Sequence, residues 1–388
     1  RVLREVGLVR AALWVDLDGD VRPELALACE WGPVRVFHRE PSGAWTEWTA
    51  RLGLDRWTGW WNGLAAGDFD GDGRQDLAAG NWGRNTAFRR YLARPLRVWY
   101  GDFLELDRVD LVESYFDPEQ DKWVPWRSYR AMRAALPFTA ATAPSHRAYG
   151  ECSVEKLLEP VWPANGPLEA ATLDSMVFLN RGPEPMEARP LPVEAQFAPV
   201  FGLGVADFDG DGRQDLALSQ NFFSVEPETA RYDGGRGLVL LGDGRGGWRA
   251  LRPAESGINL PGQQRGLAVA DFDADGRPDL AIAQNDERLA VFRNLRGRPG
   301  VRLRLEGPAG NPEGIGAQCR WRRGDQAGPV IEIRRGAGWW SQDGPPVLTG
   351  APEGAEIEVR WPDRAVSRMP WPAEGTEVRV VHPAAEGR

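Results

Sequence analysis

The sequence predicts an all-β fold, and three observations lead to that prediction. Hydrophobic residues make up 42% of the 388 residues, which is enough for a large core and more than one domain. The 46 glycines and 31 prolines are distributed along the chain at predicted turns and do not form low-complexity runs. Short apolar runs bounded by turn residues recur along the chain, and such runs are typical of buried strands.

One acidic segment is repeated. It reads Gly-Asp-Phe-Asp-Gly-Asp-Gly-Arg-Gln-Asp-Leu-Ala at 67–78 and differs only in its first residue at 206–217. Related copies cover 16–26 and 271–281, and a decayed fifth covers 102–112. Apolar runs flank each main copy, so each is predicted to join two strands of a β-hairpin. The four main copies are spaced by 52, 139 and 64 residues, close to one four-stranded propeller blade each except for the long middle interval.

The carboxylates of the four main copies have the spacing of a calcium-binding loop. They lie at relative positions 1, 3, 5 and 9, and the backbone carbonyl of position 7 is expected to complete the shell of six to eight oxygens that Ca²⁺ takes. An EF-hand would need a Glu at position 12, which is apolar in all four copies. The predicted metal ligands are Asp16, Asp18, Asp20, Arg22, Glu24, Asp68, Asp70, Asp72, Arg74, Asp76, Asp207, Asp209, Asp211, Arg213, Asp215, Asp271, Asp273, Asp275, Arg277 and Asp279.

About four structural Ca²⁺ ions are therefore expected. The alternative, that these are merely solvated acidic turns, suits a single copy better than four. Four bound Ca²⁺ ions would change the formal charge from −9 to −1. In the decayed copy Leu104 and Leu106 stand at positions 3 and 5, so no metal is expected there although Asp102 and Asp110 remain.

These hairpins resemble the FG-GAP or VCBS repeats of integrin-α-type β-propellers, in which such loops bind structural Ca²⁺. The tail is similar to the ASPIC/UnbV domain of the cartilage acidic protein family. The residues that carry this second resemblance are Gly307-Pro308, Asn311-Pro-Glu-Gly-Ile-Gly-Ala317, Arg334-Arg-Gly-Ala-Gly-Trp-Trp-Ser-Gln342 and Val359-Arg-Trp-Pro362.

Together the two resemblances imply a β-propeller with Ca²⁺-binding hairpin loops over 1–299 and a small C-terminal β-domain over 300–388. Propellers of this family usually close with seven blades, whereas five blade signatures are visible here. Three explanations stay open: blades upstream of Arg1, blades too degenerate to recognise, or a ring closed by later segments.

A helical insertion is predicted at about 85–160, where the repeat rhythm is lost. Residues 128–136 and 145–158 have a helical composition, so two helices are expected to decorate one blade. This insertion would serve either recognition or as a structural cap.

Amide and aromatic residues follow the strands that leave the acidic loops. They are expected on the face opposite the ions, where they would suit a protein or glycan ligand. The alternative is that they are turn asparagines and packed aromatics. The candidates are Trp31, Trp60, Trp61, Asn81, Trp82, Asn221 and Asn285.

The composition disfavours several function classes. A net charge of −9 argues against nucleic-acid binding, and no apolar run is long enough to span a bilayer. The three cysteines form no C-x-x-C, and the three histidines form no H-E-x-x-H motif. A non-catalytic binding, adhesion or scaffolding protein is therefore expected, with a structural subunit of a larger extracellular or envelope assembly, or a carbohydrate-active enzyme, as alternatives.

The expected location is secreted, periplasmic or cell-surface, since repeated extracellular calcium modules often bind at about 10⁻⁴ to 10⁻³ M. The chain opens with Arg1 and not with Met, which leaves open a lost upstream export signal. Self-assembly also stays open.

Overall fold

The computed structural model describes residues 3–163, 165–336 and 339–385, and these form an all-β fold, as predicted. Five antiparallel sheets precede residue 300, and two further sheets follow it. Residues 337 and 338, which belong to the tail motif at 334–342, lie outside the described residues. No helix in the described part of the chain has the length and apolar character needed to cross a membrane.

The first sheet is a blade in which successive strands pair with their neighbours. A two-residue fifth strand pairs with the end of the second strand. The third strand supplies a buried Phe37 to the core. The strands are β1 (Leu8–Val15), β2 (Glu24–Gly32), β3 (Val34–Arg39), β4 (Trp45–Glu47) and β5 (Gly59–Trp60).

The second blade is split by an inserted module. Its inner hairpin consists of β6 (Gly63–Gly67) and β7 (Asp76–Gly80), after which the chain leaves the blade. The inserted residues form a separate four-stranded sheet with the order β10-β9-β8-β11. Its strands are β8 (Leu96–Gly101), β9 (Asp110–Asp117), β10 (Lys122–Pro125) and β11 (Leu168–Ala170).

Four short helices lie between β10 and β11, where two were predicted. They are α1 (Tyr129–Ala135), α2 (Thr139–Thr142), α3 (His146–Gly150) and α4 (Val154–Leu158). The expected single helix at 145–158 is two helices because the Ser153 side chain accepts the backbone N–H of Lys156 and caps α4 as a separate element. The insertion is therefore larger than predicted, and a sheet makes up part of it.

The chain then returns to complete the second blade with β12 (Met176–Leu179) and β13 (Glu187–Pro190). Met176 pairs with Ala79 across the gap that the insertion leaves in the sequence. Short 3-10 turns occur at Ala87–Tyr91, Glu159–Val161, Val193–Gln196 and Pro383–Ala385.

Two more blades follow without interruption. The third has four strands, and three strands of the fourth are described. Their elements are β14 (Val200–Ala206), β15 (Asp215–Gln220), β16 (Leu238–Gly242), β17 (Trp248–Ala250), α5 (Pro253–Ser256), β18 (Gln263–Ala270), β19 (Asp279–Asn285) and β20 (Ala290–Phe292).

The first strands of the four blades lie side by side in the order β1, β6, β14 and β18. Apolar clusters fill the spaces between successive blades; Trp61 lies in the first of them and is fully buried. Glycine allows the closest approach, because a Cβ at Gly63 would lie 1.9 Å from the Phe201 carbonyl oxygen on the next inner strand. This is the propeller-like arrangement that the repeats predicted.

The remaining strands form a unit with its own core around the fully buried Trp361. We call residues 301–381 the C-terminal β-unit. One sheet has the order β25-β21-β28, and the other has the order β23-β22-β26-β27 with β24 beside β22. The strands are β21 (Val301–Glu306), β22 (Gln318–Arg323), β23 (Gln326–Ala327), β24 (Ile331–Glu332), β25 (Val347–Leu348), β26 (Glu356–Arg360), β27 (Val366–Pro370) and β28 (Glu377–Val381).

The C-terminal β-unit also contacts the inner strands of the blades. The Gly344 N–H donates to the Val269 carbonyl on β18 at 2.8 Å, and the Trp339 ring lies under the Arg10 guanidinium of β1. A cavity of about 570 Å³ lies between the unit and the inner strands, and Leu64 and Val330 are among the residues that line it. The hydrogen bond and the ring contact show that the unit packs against the blades around this cavity.

Candidate metal centres

Each predicted calcium loop connects the first two strands of a blade. We call residues 16–24, 68–76, 207–215 and 271–279 loops 1 to 4. In every loop the residue before position 1 pairs with position 9 across the hairpin, as Gly67 pairs with Asp76 in loop 2. Position 9 is therefore the first residue of the second strand, and its side chain is buried in all four loops.

The position-1 aspartate folds the loop over itself. In loop 2 the Asp68 Oδ2 atom accepts the N–H of Gly73, at position 6, at 3.0 Å. Position 6 has a positive φ in all four loops, which glycine adopts freely but which Val21 of loop 1 adopts at a cost. The same hydrogen bond joins Val21 to Asp16, Gly212 to Asp207 and Gly276 to Asp271.

The position-5 aspartate orients position 7. Asp72 accepts the backbone N–H of Arg74 at 2.9 Å. In loops 2 to 4 the arginine side chain also pairs with this carboxylate. The equivalent backbone bonds join Arg22 to Asp20, Arg213 to Asp211 and Arg277 to Asp275.

The position-9 carboxylate links the start of the loop to the third strand of the blade. The Asp76 carboxylate accepts the N–H of Phe69 at 2.9 Å and the N–H of Asn180 at 2.6 Å. Loops 3 and 4 repeat this arrangement with backbone donors. In loop 1, Glu24 accepts the Leu17 N–H at 2.8 Å, and its other oxygen lies 2.8 Å from His38 Nδ1.

His38 is a site residue that the sequence analysis missed. Its ring stacks on Trp48 with centroids 4.0 Å apart, and only 7% of the residue is exposed. It takes the place of the backbone donor that the other loops use. The only available signal was the Glu at position 9 of loop 1, where the other copies have Asp.

The carboxylates converge in all four loops. In loops 2 to 4 the groups that could hold an ion come from positions 1, 3 and 9, with ligand atoms within 4.8 Å of one another. Loop 1 has one such group from positions 1, 3 and 5 and a second from Asp18, Glu24 and His38. The position-5 carboxylates of loops 2 to 4 are not in these groups, because each faces its own position-7 arginine.

The buried carboxylates fit a cation. Asp68 is 2% exposed, and its Oδ1 atom has no hydrogen-bond partner among the described residues. Burial raises the pKa of Asp76 and of Asp215 to about 8, and hydrogen bonds from backbone N–H groups offset only part of that rise. Burial likewise raises the pKa of Asp16 to about 6.

Of the carboxylates in these groups, those at position 3 of two loops pair with an arginine. Arg181 pairs with Asp70, and Arg293 pairs with Asp273. Among the described residues no ion pair reaches the carboxylates at positions 1 and 9 of loops 2 to 4. A divalent ion ligated by positions 1, 3 and 9 would supply the missing positive charge.

Residues 16–79 match the family model of the FG-GAP-like repeat. The chain contains an FG-GAP-like repeat. The match begins at the first carboxylate of loop 1 and ends in β7, so this FG-GAP-like repeat includes loops 1 and 2. No curated protein is significantly similar to the chain.

The decayed copy lies outside the row of hairpins that contain loops 1 to 4, since it connects β8 and β9 of the inserted sheet. Asp102 accepts the N–H groups of Leu106 and Asp107, so its carboxylate closes the turn. Asp110 lies 3.5 Å from Arg108. The expectation that this copy binds no metal stays a prediction.

Most of the side chains predicted for the ligand face are buried inside the fold, and the binding role predicted for them stays a prediction. Trp31 and Trp82 belong to an aromatic cluster in which Trp60 stacks on Trp82 with centroids 4.3 Å apart. Asn81 accepts the N–H groups of Trp60 and Trp82 and is fully buried. The residues that are 7% exposed or less are Trp31, Trp61, Asn81, Trp82 and Asn221.

Trp60 is half-buried and Asn285 is exposed, so a binding role for these two stays a prediction. Asn221 binds the Gly235 backbone through both ends of its amide. It also has a positive φ of 86°, which explains an asparagine at this turn.

Proposed function

We propose that this protein is a calcium-binding β-propeller that acts as a non-catalytic binding, adhesion or scaffolding module. The observation that carries the proposal is the convergence of three carboxylates within 4.8 Å in each of loops 2 to 4 and of a matching group in loop 1. These groups occupy the same position in four successive blades, so the ions would stabilise the blades and not serve a single reaction centre.

The donor chemistry favours Ca²⁺ over a transition metal. The predicted ligands are carboxylate and carbonyl oxygens, which suit hard cations, and the three cysteines are buried elsewhere as free thiols. Ca²⁺ also tolerates irregular geometry better than Mg²⁺, which requires a near-ideal octahedron. The ion in each loop would cross-link position 1 to position 9 and so close the hairpin.

We further propose that the C-terminal β-unit is an ASPIC/UnbV-like domain and that the protein belongs with the cartilage acidic protein family. Support comes from the tail motifs, which have structural roles in this unit. Asn311 closes a turn by binding both backbone groups of Ile315, and Trp361 fills the core. A secreted, periplasmic or cell-surface location and an unidentified protein or glycan ligand form part of the same proposal.

A metal analysis of Asp70→Ala tests the ion sites. Asp70 is the position-3 ligand of loop 2, and one of its oxygens is buried without a partner among the described residues. We expect about four Ca²⁺ per chain in the wild type and about three in the variant, by plasma mass spectrometry after dialysis against calcium buffer.

The control is Asp102→Ala in the decayed copy, which should keep the wild-type ion count. A wild-type protein that binds no Ca²⁺ at millimolar concentration would overturn the proposed function. If Asp102→Ala loses an ion instead, the assignment of the ion sites to loops 1 to 4 is wrong. A glycan and matrix-protein array with the calcium-loaded protein then addresses the ligand.

A further inference from the structure

The C-terminal β-unit touches all four calcium loops. In three of them it donates a hydrogen bond to the position-1 carboxylate, and in the fourth the donor is an arginine and the acceptor is the position-1 backbone carbonyl. The bonds are Gln318 Nε2 to Asp16 Oδ2 at 2.9 Å, Val330 N to Asp68 Oδ2 at 3.0 Å, Thr349 Oγ1 to Asp207 Oδ2 at 2.5 Å and Arg302 Nη1 to the Asp271 oxygen at 2.8 Å.

Loop 2 shows how these donors relate to the ion site. Asp68 Oδ2 accepts N–H groups from Gly73 and from Val330, whereas its Oδ1 atom is buried without a partner among the described residues. Two donors therefore hold one oxygen of the carboxylate and leave the other free for an ion. Hydrogen bonds of this kind favour the ionised carboxylate, which is the form that binds a cation.

The arginines at this interface do not replace the ions. Arg302 and Arg334 pair with carboxylates of the C-terminal β-unit itself. Arg360 and Arg364 donate to backbone carbonyls of loop 1. Among the described residues no ion pair joins an arginine of the unit to a carboxylate of the loops, so the unit supplies hydrogen-bond donors and does not take the place of an ion.

Contacts between backbones bring the unit close to the loops. The N–H of Gly300, the residue just before the unit, donates to the Gly276 carbonyl at 2.7 Å, and a Cβ at Gly350 would lie 2.3 Å from the Gly212 Cα atom. Gly276 and Gly212 are the position-6 residues that wrap over their own position-1 aspartates. A loop that opens because its carboxylates repel one another would therefore lose its fit to the unit.

We propose that the C-terminal β-unit completes the calcium sites, with Gln318, Val330 and Thr349 as positioning residues, and that ion binding and docking of the unit are a single linked equilibrium. The inference rests on the proposed function, since it requires that the loops bind Ca²⁺. Linkage is reciprocal: Ca²⁺ that favours the docked unit must bind more tightly when the unit is docked. The competing explanation is a fixed interface that holds equally well without ions.

Hydrogen exchange with mass spectrometry on the full chain distinguishes the two explanations. We expect peptides that contain Val330 and Thr349 to exchange at least about tenfold more slowly with saturating Ca²⁺ than in EDTA. Peptides in the inserted helices α1 to α4 are the internal reference. Equal exchange of the Val330 and Thr349 peptides in the two conditions would overturn the inference.

Thr349→Val tests the positioning role, because valine keeps the shape of threonine and removes the hydroxyl donor. We expect one of four sites to bind Ca²⁺ about tenfold more weakly by calorimetric titration, while the other three keep their affinity. Gln318→Leu makes the same test at loop 1 if the first variant does not fold. The control is Ser367→Ala, because the Ser367 hydroxyl accepts from Trp361 Nε1 and donates to the Val381 carbonyl, both inside the unit.

The outcomes distinguish the positioning role of the C-terminal β-unit from calcium binding itself. If the wild type binds four Ca²⁺ but Thr349→Val titrates like the wild type, the inference fails and the proposed function stands. If the wild type binds no Ca²⁺, both fail. If Ser367→Ala weakens a site as much as Thr349→Val does, the effect comes from the stability of the unit and the positioning role is overturned.

Discussion

At position 9 a single extra methylene distinguishes loop 1 from the other loops. In loop 2 the backbone N–H of Asn180 donates to Asp76 at position 9. In loop 1 the longer side chain of Glu24 stands at position 9, and one of its oxygens lies 2.8 Å from His38 Nδ1 instead. The imidazole is fixed from the other side by its stack on Trp48. The loop thus keeps a hydrogen-bond donor on the position-9 carboxylate although the chemical type of the donor has changed.

His38→Phe should weaken loop 1 selectively. Phenylalanine can keep the stack on Trp48 but leaves a buried oxygen of Glu24 without its donor, so we expect a loss of about 1–3 kcal/mol in the free energy of unfolding. The measurement is urea denaturation in saturating Ca²⁺, with the ion count of loops 2 to 4 expected to stay at three. His146→Phe, at an exposed position in α3, is the matched control. Equal stability of the two variants would contradict the role assigned to His38.

The convergence of positions 1, 3 and 9 was predictable at the residue scale, but the hydrogen-bond partners of these carboxylates and the pairing of position 5 with arginine were not. Alternating aspartates such as Asp68 and Asp70 predict a loop in which carboxylates converge, since their spacing is a local property of the chain. The donors Asn180 and Val330 come from residues more than a hundred positions away. The burial of the predicted ligand face was not predictable for the same reason, because the exposure of Trp82 depends on which distant segment covers it.

The inner strands show at the element scale why these blades contain so much glycine. A Cβ at Gly63 would meet backbone atoms of Phe201 on the neighbouring strand, and backbone cannot move aside as a flexible side chain could. A Cβ at Gly80, on the paired strand, would likewise lie 2.7 Å from the Val200 carbonyl oxygen. These positions let adjacent blades approach closely at the inner hairpin of the second blade.

Gly63→Ala should therefore be strongly destabilising. We expect a loss of about 3 kcal/mol or more, since the added methyl group overlaps a carbonyl oxygen and the two strands must separate. Gly310→Ala is the control: its added Cβ meets nothing within 4 Å, so its stability should match the wild type within about 0.5 kcal/mol. Thermal or urea unfolding of the two variants makes the comparison. Similar stability of both would show that the blades can move apart at little cost.

The inserted module marks the limit of prediction for elements. The hairpin of β6 and β7 was expected because its apolar runs flank loop 2 directly. The pairing of β12 with β7 was not expected, because an insertion with its own sheet and helices separates Met176 from Ala79 in the sequence. Local patterns identify hairpins, whereas long-range strand pairing depends on packing that a single sequence does not reveal.

Over the whole molecule the acidic loops have two partners, the blade that contains them and the C-terminal β-unit. Each loop joins the inner strands of one blade and also accepts hydrogen bonds from the unit, so four separate sites share one interface. Buried carboxylates without a cation, such as Asp68 and Asp215, would repel their neighbours in every loop at once. Ion removal should therefore weaken the blades and the interface together.

Chelation should lower the melting temperature by more than about 10 °C. Each site held at about ten times its dissociation constant adds about 1.4 kcal/mol to the folded state, so four sites add about 6 kcal/mol. A change of 1 kcal/mol moves the melting temperature of a large domain by about 2 °C. The measurement is calorimetry at pH 8 in EDTA and in millimolar Ca²⁺. Adding Ca²⁺ in excess of the EDTA should restore the original transition, whereas Mg²⁺ should restore less of it because the loops are irregular. A transition that does not move with EDTA would mean that the loops hold their carboxylates together without ions, and the calcium-dependent interface would then have no physical basis.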